Sequence, residues 1–167
     1  QCDKRGVVIR VEAVSVEGGD TVNRWRGPLA ARPHIVGYQA AGEIVEVGSN
    51  VANFRKGDLI TALPSTGCGH CEACYRGNLA LCHNAPGVMG GYAELMRIPT
   101  SVAIKLPSTL SLADGALIEP LAVGMHGTRL SQLQPGDRVL VLGAGSMALS
   151  MVFWARPSAV AVFDMAR

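Results

Sequence analysis

The chain has 167 residues, enough for one generous domain or two small ones. Apolar residues make up 49% and charged ones only 17%, which calls for a packed core and excludes a disordered polar chain. A net charge of +2 gives no argument for nucleic acid or an anionic membrane, and no apolar run is long enough to span a bilayer.

Both ends read as unfinished, and the chain is expected to be part of a longer polypeptide. Residues 6–16 (GVVIRVEAVSV) are rich in valine and read as a half-buried strand. Glu17-Gly18-Gly19-Asp20-Thr21 follows as a polar loop, before Arg24-Trp25-Arg26. Residues 36–47 form a second extended stretch, interrupted at Gly37 and Gly42, and Lys56-Gly57-Asp58 turns into a strand over 59–63. Beyond a cysteine-rich segment, strands are expected over 91–98 and 102–106, with Pro99 and Pro107 as stops. Many short strands joined by turns predict a small β-barrel.

The pattern changes at Ser108. Ser111 and Asp114 have the spacing of a capping box, opening a helix over 115–130 with a break or kink at Pro120. Residues 138–142 (RVLVL) and 159–163 (AVAVF) are the apolar runs of parallel strands covered on both faces, with an apolar helix over 146–155 between them. This β-α-β pattern places a domain boundary near 106–110, giving domains 1–107 and 108–167.

Four of the five cysteines, Cys68, Cys71, Cys74 and Cys82, follow C-x2-C-x2-C-x7-C within a lobe over 66–84. Four thiolates can close a tetrahedron around zinc with no open position, so the lobe is expected to hold one structural zinc ion. Two disulfides are the first rival, but such short spacings strain S–S geometry. An iron–sulfur cluster is the second, yet its usual run has the fourth cysteine after three residues and then a proline. His70 and His83 read as flanking residues. Clustered cysteines with Cys2 left over suit a reducing compartment, and the cytoplasm is expected.

Gly143-Ala144-Gly145-Ser146-Met147-Ala148 lies between the strand 138–142 and the next helix, the setting in which G-x-G-x-x-G/A binds a dinucleotide. Gly143 makes the turn, Gly145 admits the pyrophosphate, Ala148 allows close helix packing, and the helix N-terminus meets the phosphates. Asp164 ends the following strand, where a carboxylate accepts from the ribose hydroxyls and favours NAD over NADP. A tight turn that binds nothing is the bland alternative.

With these pieces in order, the sequence resembles the medium-chain dehydrogenase/reductase superfamily, in its zinc-containing alcohol and polyol dehydrogenase branch. The four-cysteine lobe, Gly115-Ala-Leu-Ile-Glu119-Pro120 and Gly143-Ala144-Gly145 carry the resemblance. It implies β plus α/β architecture: a GroES-like β-barrel domain with a structural-zinc lobe, followed by the start of a Rossmann fold. It also implies a nicotinamide-dependent oxidoreductase acting on a small alcohol, ketone or enone in the cleft between the domains, a homo-oligomer when full-length.

The family's catalytic zinc ligands are replaced. Glu17 stands at the cysteine position, Gly37-Tyr38-Gln39 at the Gly-His-Glu turn, and Val22 at the relay histidine, leaving Glu119 as the one plausible ligand. Two carboxylates make a poor zinc site, so hydride transfer without a catalytic zinc is expected. The Gly-Gly-Asp-Thr and Gly-Tyr-Gln segments resemble the zinc-independent quinone oxidoreductase branch, and Tyr38, Gln39, Asp20 and Glu119 are the candidate catalytic residues. Tyr38 also reads as a core-edge residue, and Glu17 and Asp20 as plain loop carboxylates. The rival function is a redox-inactive member that serves as a binding or assembly subunit. The chain reads as shorter than the family at Gly90-Gly91 and at Arg156-Pro157.

Overall fold

The computed structural model describes residues 2–27, 35–156 and 158–164. They divide into two compact units, Gln1–Ala116 and Leu117–Arg167.

The first unit is built on a five-stranded antiparallel sheet in the order β4-β1-β2-β3-β5. Its strands are β1 (Gly6–Val14), β2 (Ala40–Val47), β3 (Leu59–Ala62), β4 (Leu95–Pro99) and β5 (Ala103–Lys105). Val7 pairs with both Val47 and Ile98, which seats β1 between β2 and β4. The inward positions Val7, Ile9, Ile44, Ile60, Met96 and Ile98 are almost fully buried and form the core.

The two outer strands, β4 and β5, are consecutive in the chain, with only residues 100–102 between them. In a flat sheet they would lie about 19 Å apart, from a strand spacing of about 4.8 Å. Four backbone steps reach at most about 14 Å, so the sheet must curl until its edges approach. The Val102 N–H donating to the Pro99 carbonyl makes that link a tight turn. A barrel-like domain follows, joined at its seam by the covalent chain.

The segment after β1 departs from the expected loop. Gly18–Arg26 is helix α1, with Glu17 as N-cap. The Glu17 carboxylate accepts from the Gly19 N–H, and Asp20 Oδ2 accepts from the Glu17 N–H at 3.1 Å. Two glycines weaken helix propensity, but this reciprocal cap satisfies the first-turn donors that would otherwise go unmet.

The cysteine lobe contains a short helix α2 (Glu72–Tyr75) and a 3-10 turn, Leu79–Leu81. It hangs from a narrow neck in which Thr66 N donates to Pro86 O at 3.0 Å and Val88 N to Pro64 O at 2.7 Å.

The expected helix over 115–130 is two helices, α3 (Leu112–Ala116) and α4 (Ile118–Leu130). Ser111 and Asp114 make the capping box, with Ser111 N to Asp114 Oδ2 at 3.0 Å and Asp114 N to Ser111 Oγ at 3.1 Å. The break falls at Leu117. Pro120 lies in the first turn of α4, where its missing N–H leaves no hydrogen bond unmade.

In the second unit, β6 (Arg138–Leu142) and β7 (Ala159–Phe163) are paired in parallel, with α5 (Ser146–Trp154) between them. Helices α4 and α5 pack so closely that a Cβ on Gly124 would collide with Ser150. Trp154 Nε1 donates to the Leu121 carbonyl at 2.7 Å, fixing the same pair. Among the described residues, no helix is long and apolar enough to cross a membrane.

Candidate functional site

The four lobe cysteines converge. Their Sγ atoms all lie within 4.8 Å of one another, with 3.5 Å from Cys71 to Cys74, 3.8 Å from Cys71 to Cys82 and 3.9 Å from Cys68 to Cys74. A tetrahedron with Zn–S bonds of about 2.3 Å has edges of about 3.8 Å, so the donor set fits zinc with little movement. The four cysteines are free thiols. His70 turns its Nδ1 to the Cys68 carbonyl at 2.8 Å and stays outside the cluster.

The electrostatics of the cluster are uneven. The Cys68 N–H donates to Cys82 Sγ at 3.3 Å and, against the opposing effect of burial, holds Cys82 down at about 7. Cys68 is lowered by the His70 N–H. At Cys71 the Cys74 N–H pulls downward, but burial and the neighbouring thiols outweigh it and push Cys71 up to about 11. Each thiolate opposes ionisation of the next, and a dication at the centre removes that opposition.

The glycine turn Gly143-Ala144-Gly145 lies between β6 and α5. Gly143 has φ of 106°, a conformation that side chains other than glycine rarely adopt, and its N–H donates to Phe163 O at 2.7 Å. That bond sets Asp164, the exposed residue after Phe163, beside the turn. Gly145 is the N-cap of α5, with no side-chain hydrogen bond at the helix start. Ala148 is half-buried on the first turns of α5.

The candidate catalytic residues separate into two groups. Asp20, Tyr38 and Gln39 belong to the first unit, and Glu119 lies in α4 of the second. The Gln39 carbonyl accepts from Ser15 N at 2.9 Å, so the segment 37–39 runs beside the residues that lead into α1. Gln39 is buried and Tyr38 half-buried.

Asp20 is 4% exposed. Its Oδ2 accepts from the Glu17 N–H and from the Tyr92 hydroxyl at 3.1 Å, while its Oδ1 is buried with no hydrogen-bond partner. Tyr92 was not among the residues expected from sequence. Its backbone N–H donates to Val36 O, Gly91 N donates to Gly37 O, and its ring lies against Gly37. A Cβ on Gly37 would stand 2.9 Å from Tyr92 Cδ2, and Gly37 has φ of 90°, so glycine is required there twice over. Burial pushes the Tyr92 phenol above its ordinary value, and the Asp20 carboxylate adds to the shift. The partner of Tyr92 is 72 positions away, beyond the reach of local pattern. A tyrosine next to a glycine pair, with a hydroxyl to satisfy, was the one available signal.

Residues 3–108 match the family model of the alcohol dehydrogenase GroES-like domain, more than half of the chain. The chain belongs to the medium-chain dehydrogenase/reductase family. Within its zinc-type alcohol and polyol branch, this GroES-like protein is 36% identical over 155 residues to a sorbitol dehydrogenase of Bacillus subtilis. That match covers 87% of this chain and 44% of the relative. It is 33% identical over 159 residues to an L-idonate 5-dehydrogenase of Vitis vinifera, covering 90% of this chain and 43% of that one. Galactitol-1-phosphate dehydrogenase from Escherichia coli superposes with a TM-score of 0.87 at 26% identity, over 98% of this chain and 49% of that one. A Sinorhizobium meliloti chain, named provisionally as a zinc-binding dehydrogenase and solved with NADP, gives 0.88 at 33% identity, over 100% and 50%. The chain thus spans about half the length of the relatives it matches.

Proposed function

We propose that this chain is part of a nicotinamide-dependent oxidoreductase that moves hydride between the cofactor and a small alcohol, polyol, ketone or enone. The observation that carries the reading is the β6-Gly143-Ala144-Gly145-α5-β7 unit. Its helix start is free of side-chain caps, and Asp164 stands beside the turn. Bound there, a nicotinamide dinucleotide supplies the hydride donor or acceptor. The α5 N–H groups hold its pyrophosphate, and Asp164 accepts from the ribose hydroxyls, which favours NAD. Similarity to sorbitol and L-idonate dehydrogenases supports a polyhydroxylated substrate.

In the same reading Cys68, Cys71, Cys74 and Cys82 hold one closed zinc site that stabilises the lobe and does no chemistry. No catalytic zinc is used. The Glu17 carboxylate caps α1 through Gly19 N, and neither Tyr38 nor Gln39 is a good zinc donor. Tyr38 and Gln39 orient the substrate oxygen by hydrogen bonding. Glu119 is the remaining candidate of the set.

The test is NADH binding by fluorescence, hydride transfer across polyols, ketones and enones, and metal analysis, all on the full-length protein. One zinc per chain with turnover supports the proposal, and failure to bind NADH refutes it. The replaced ligand set also favours a second reading, a redox-inactive binding or assembly subunit. NADH binding with no turnover on any of these substrates would assign that role instead.

A further inference from the structure

Hydride transfer to or from an alcohol leaves one proton to be moved, and residue 22, where the family's relay histidine falls, is valine. Asp20 is a buried carboxylate with one oxygen unpartnered, held at the start of α1 by its own capping box. Its Oδ2 accepts from the Glu17 amide, which does not exchange protons on a catalytic timescale, and from the Tyr92 hydroxyl. Tyr92 itself is 42% exposed and lies against Gly37, next to Tyr38 and Gln39. A buried base that meets the surface through one phenol is the arrangement of a two-step relay. A structural carboxylate would be expected to satisfy both oxygens.

We infer that Tyr92 and Asp20 form the proton relay of the hydride-transfer reaction, with Tyr92 touching the substrate oxygen and Asp20 as terminal base. The inference rests on the proposed oxidoreductase reading. In the oxidising direction the carbinol C–H bond breaks and its hydride goes to the nicotinamide. The substrate O–H proton passes to the Tyr92 oxygen while the Tyr92 proton passes to Asp20 Oδ2. The products are a carbonyl, the reduced cofactor and a neutral Asp20 carboxyl. Reduction runs the same path backwards. The phenol stays neutral in the resting state, because burial and Asp20 hold its proton on. Glu17 at the cap of α1 adds a second negative charge. The 36–39 segment packed on the ring brings only Tyr38 as a titratable group, and Glu94 follows two residues on in the chain.

The experiment has an equilibrium arm and a kinetic arm. The protein has three tyrosines, Tyr38, Tyr75 and Tyr92, whose ionisation is followed by ultraviolet absorbance without cofactor. One should ionise later than an ordinary tyrosine (about 10). That late step should vanish in Tyr92→Phe and move to lower pH in Asp20→Asn. In the full-length enzyme, Tyr92→Phe keeps the ring against Gly37 and should lower kcat on the order of 10²-fold. KM should change less than threefold, and the acid limb of the kcat–pH profile in the oxidising direction should be lost. Asp20→Asn should reproduce the lost limb even if it melts lower. Tyr92→Phe with kcat within threefold and the limb intact overturns the relay alone, as does a parent protein with no late tyrosine. NADH binding without turnover in the parent overturns the proposed function and the relay with it.

Discussion

Gly67→Ala puts a methyl group into the cysteine lobe at a position with no positive-φ constraint, so its effect comes from space alone. The new Cβ would lie 2.7 Å from Cys74 Sγ and 2.7 Å from Leu79 Cδ2, whereas ordinary contact begins near 3.4 Å. One side or the other must yield by about 0.7 Å, several times the roughly 0.2 Å by which a metal–ligand distance can vary. If the sulfur moves, zinc affinity falls by at least about tenfold, or 1.4 kcal/mol. If the lobe backbone moves, overpacking costs about 1–3 kcal/mol. The assay is competition against a colorimetric chelator, with zinc per chain measured after dialysis and a thermal melt alongside. Gly57→Ala is the control. Its φ is 88° with open space around it, so it should lower stability without changing zinc retention. An unchanged chelator competition curve for Gly67→Ala, with zinc still at one per chain and the melt unchanged as well, would refute the assignment of Cys74 as a ligand.

Cys74→Ser should release the metal and lower the melting temperature of the first unit, and full metal content with an unchanged melt counts against the four-thiolate site. Asp164→Gly with an arginine introduced beside it should shift the ratio of NAD to NADP binding constants toward NADP, read by fluorescence titration. Glu17→Cys, Tyr38→His and Gln39→Glu together should raise zinc from one to two per chain, measured by elemental analysis, at a cost of about 1 kcal/mol for the lost cap. At Asp58, the hydrogen bond from Lys105 Nζ at 2.8 Å, helped by the Arg55 N–H, lowers the carboxyl below its usual value. Its stabilisation is therefore present above the unfolded carboxyl's pKa and is lost as pH falls through the folded one. Lys105→Met should cost about 0.5–1 kcal/mol at pH 7 and much less near pH 2, and equal losses in urea melts at both would sink the argument.

The parts that could be read from sequence are those whose causes are local. The runs RVLVL and AVAVF, broken by a glycine turn, describe the parallel pair of the second unit, but the cover expected on both faces is not found among the described residues, where Leu140, Leu142, Val162 and Phe163 stand exposed. The cysteine spacing places four sulfurs on one short segment, and they meet. Helix α1 was hidden because Glu17-Gly18-Gly19-Asp20 looks like a turn. Its stability comes from a reciprocal cap and from a bond between Asp20 and a tyrosine far along the chain. The break at Leu117 was misplaced to Pro120 because a proline interrupts only a helix that has already begun, and here α4 starts two residues before it. Tyr92 illustrates the same limit in the candidate site, since no local pattern names a partner 72 positions away.

The seam of the curled sheet also has a consequence for synthesis. Strand β1 gains β2 once Val47 has been made, but its other edge must wait for β4, which is complete only at Pro99. At 5–20 residues per second those 52 positions take about 3–10 s, and the cysteine lobe emerges during the interval. A nascent chain therefore carries a valine-rich strand with one unpaired edge on the ribosome, a template for pairing with a neighbouring nascent chain. Arg10 and Glu12, exposed along that strand and bonded to each other at 3.2 Å, place charge where such an encounter would begin.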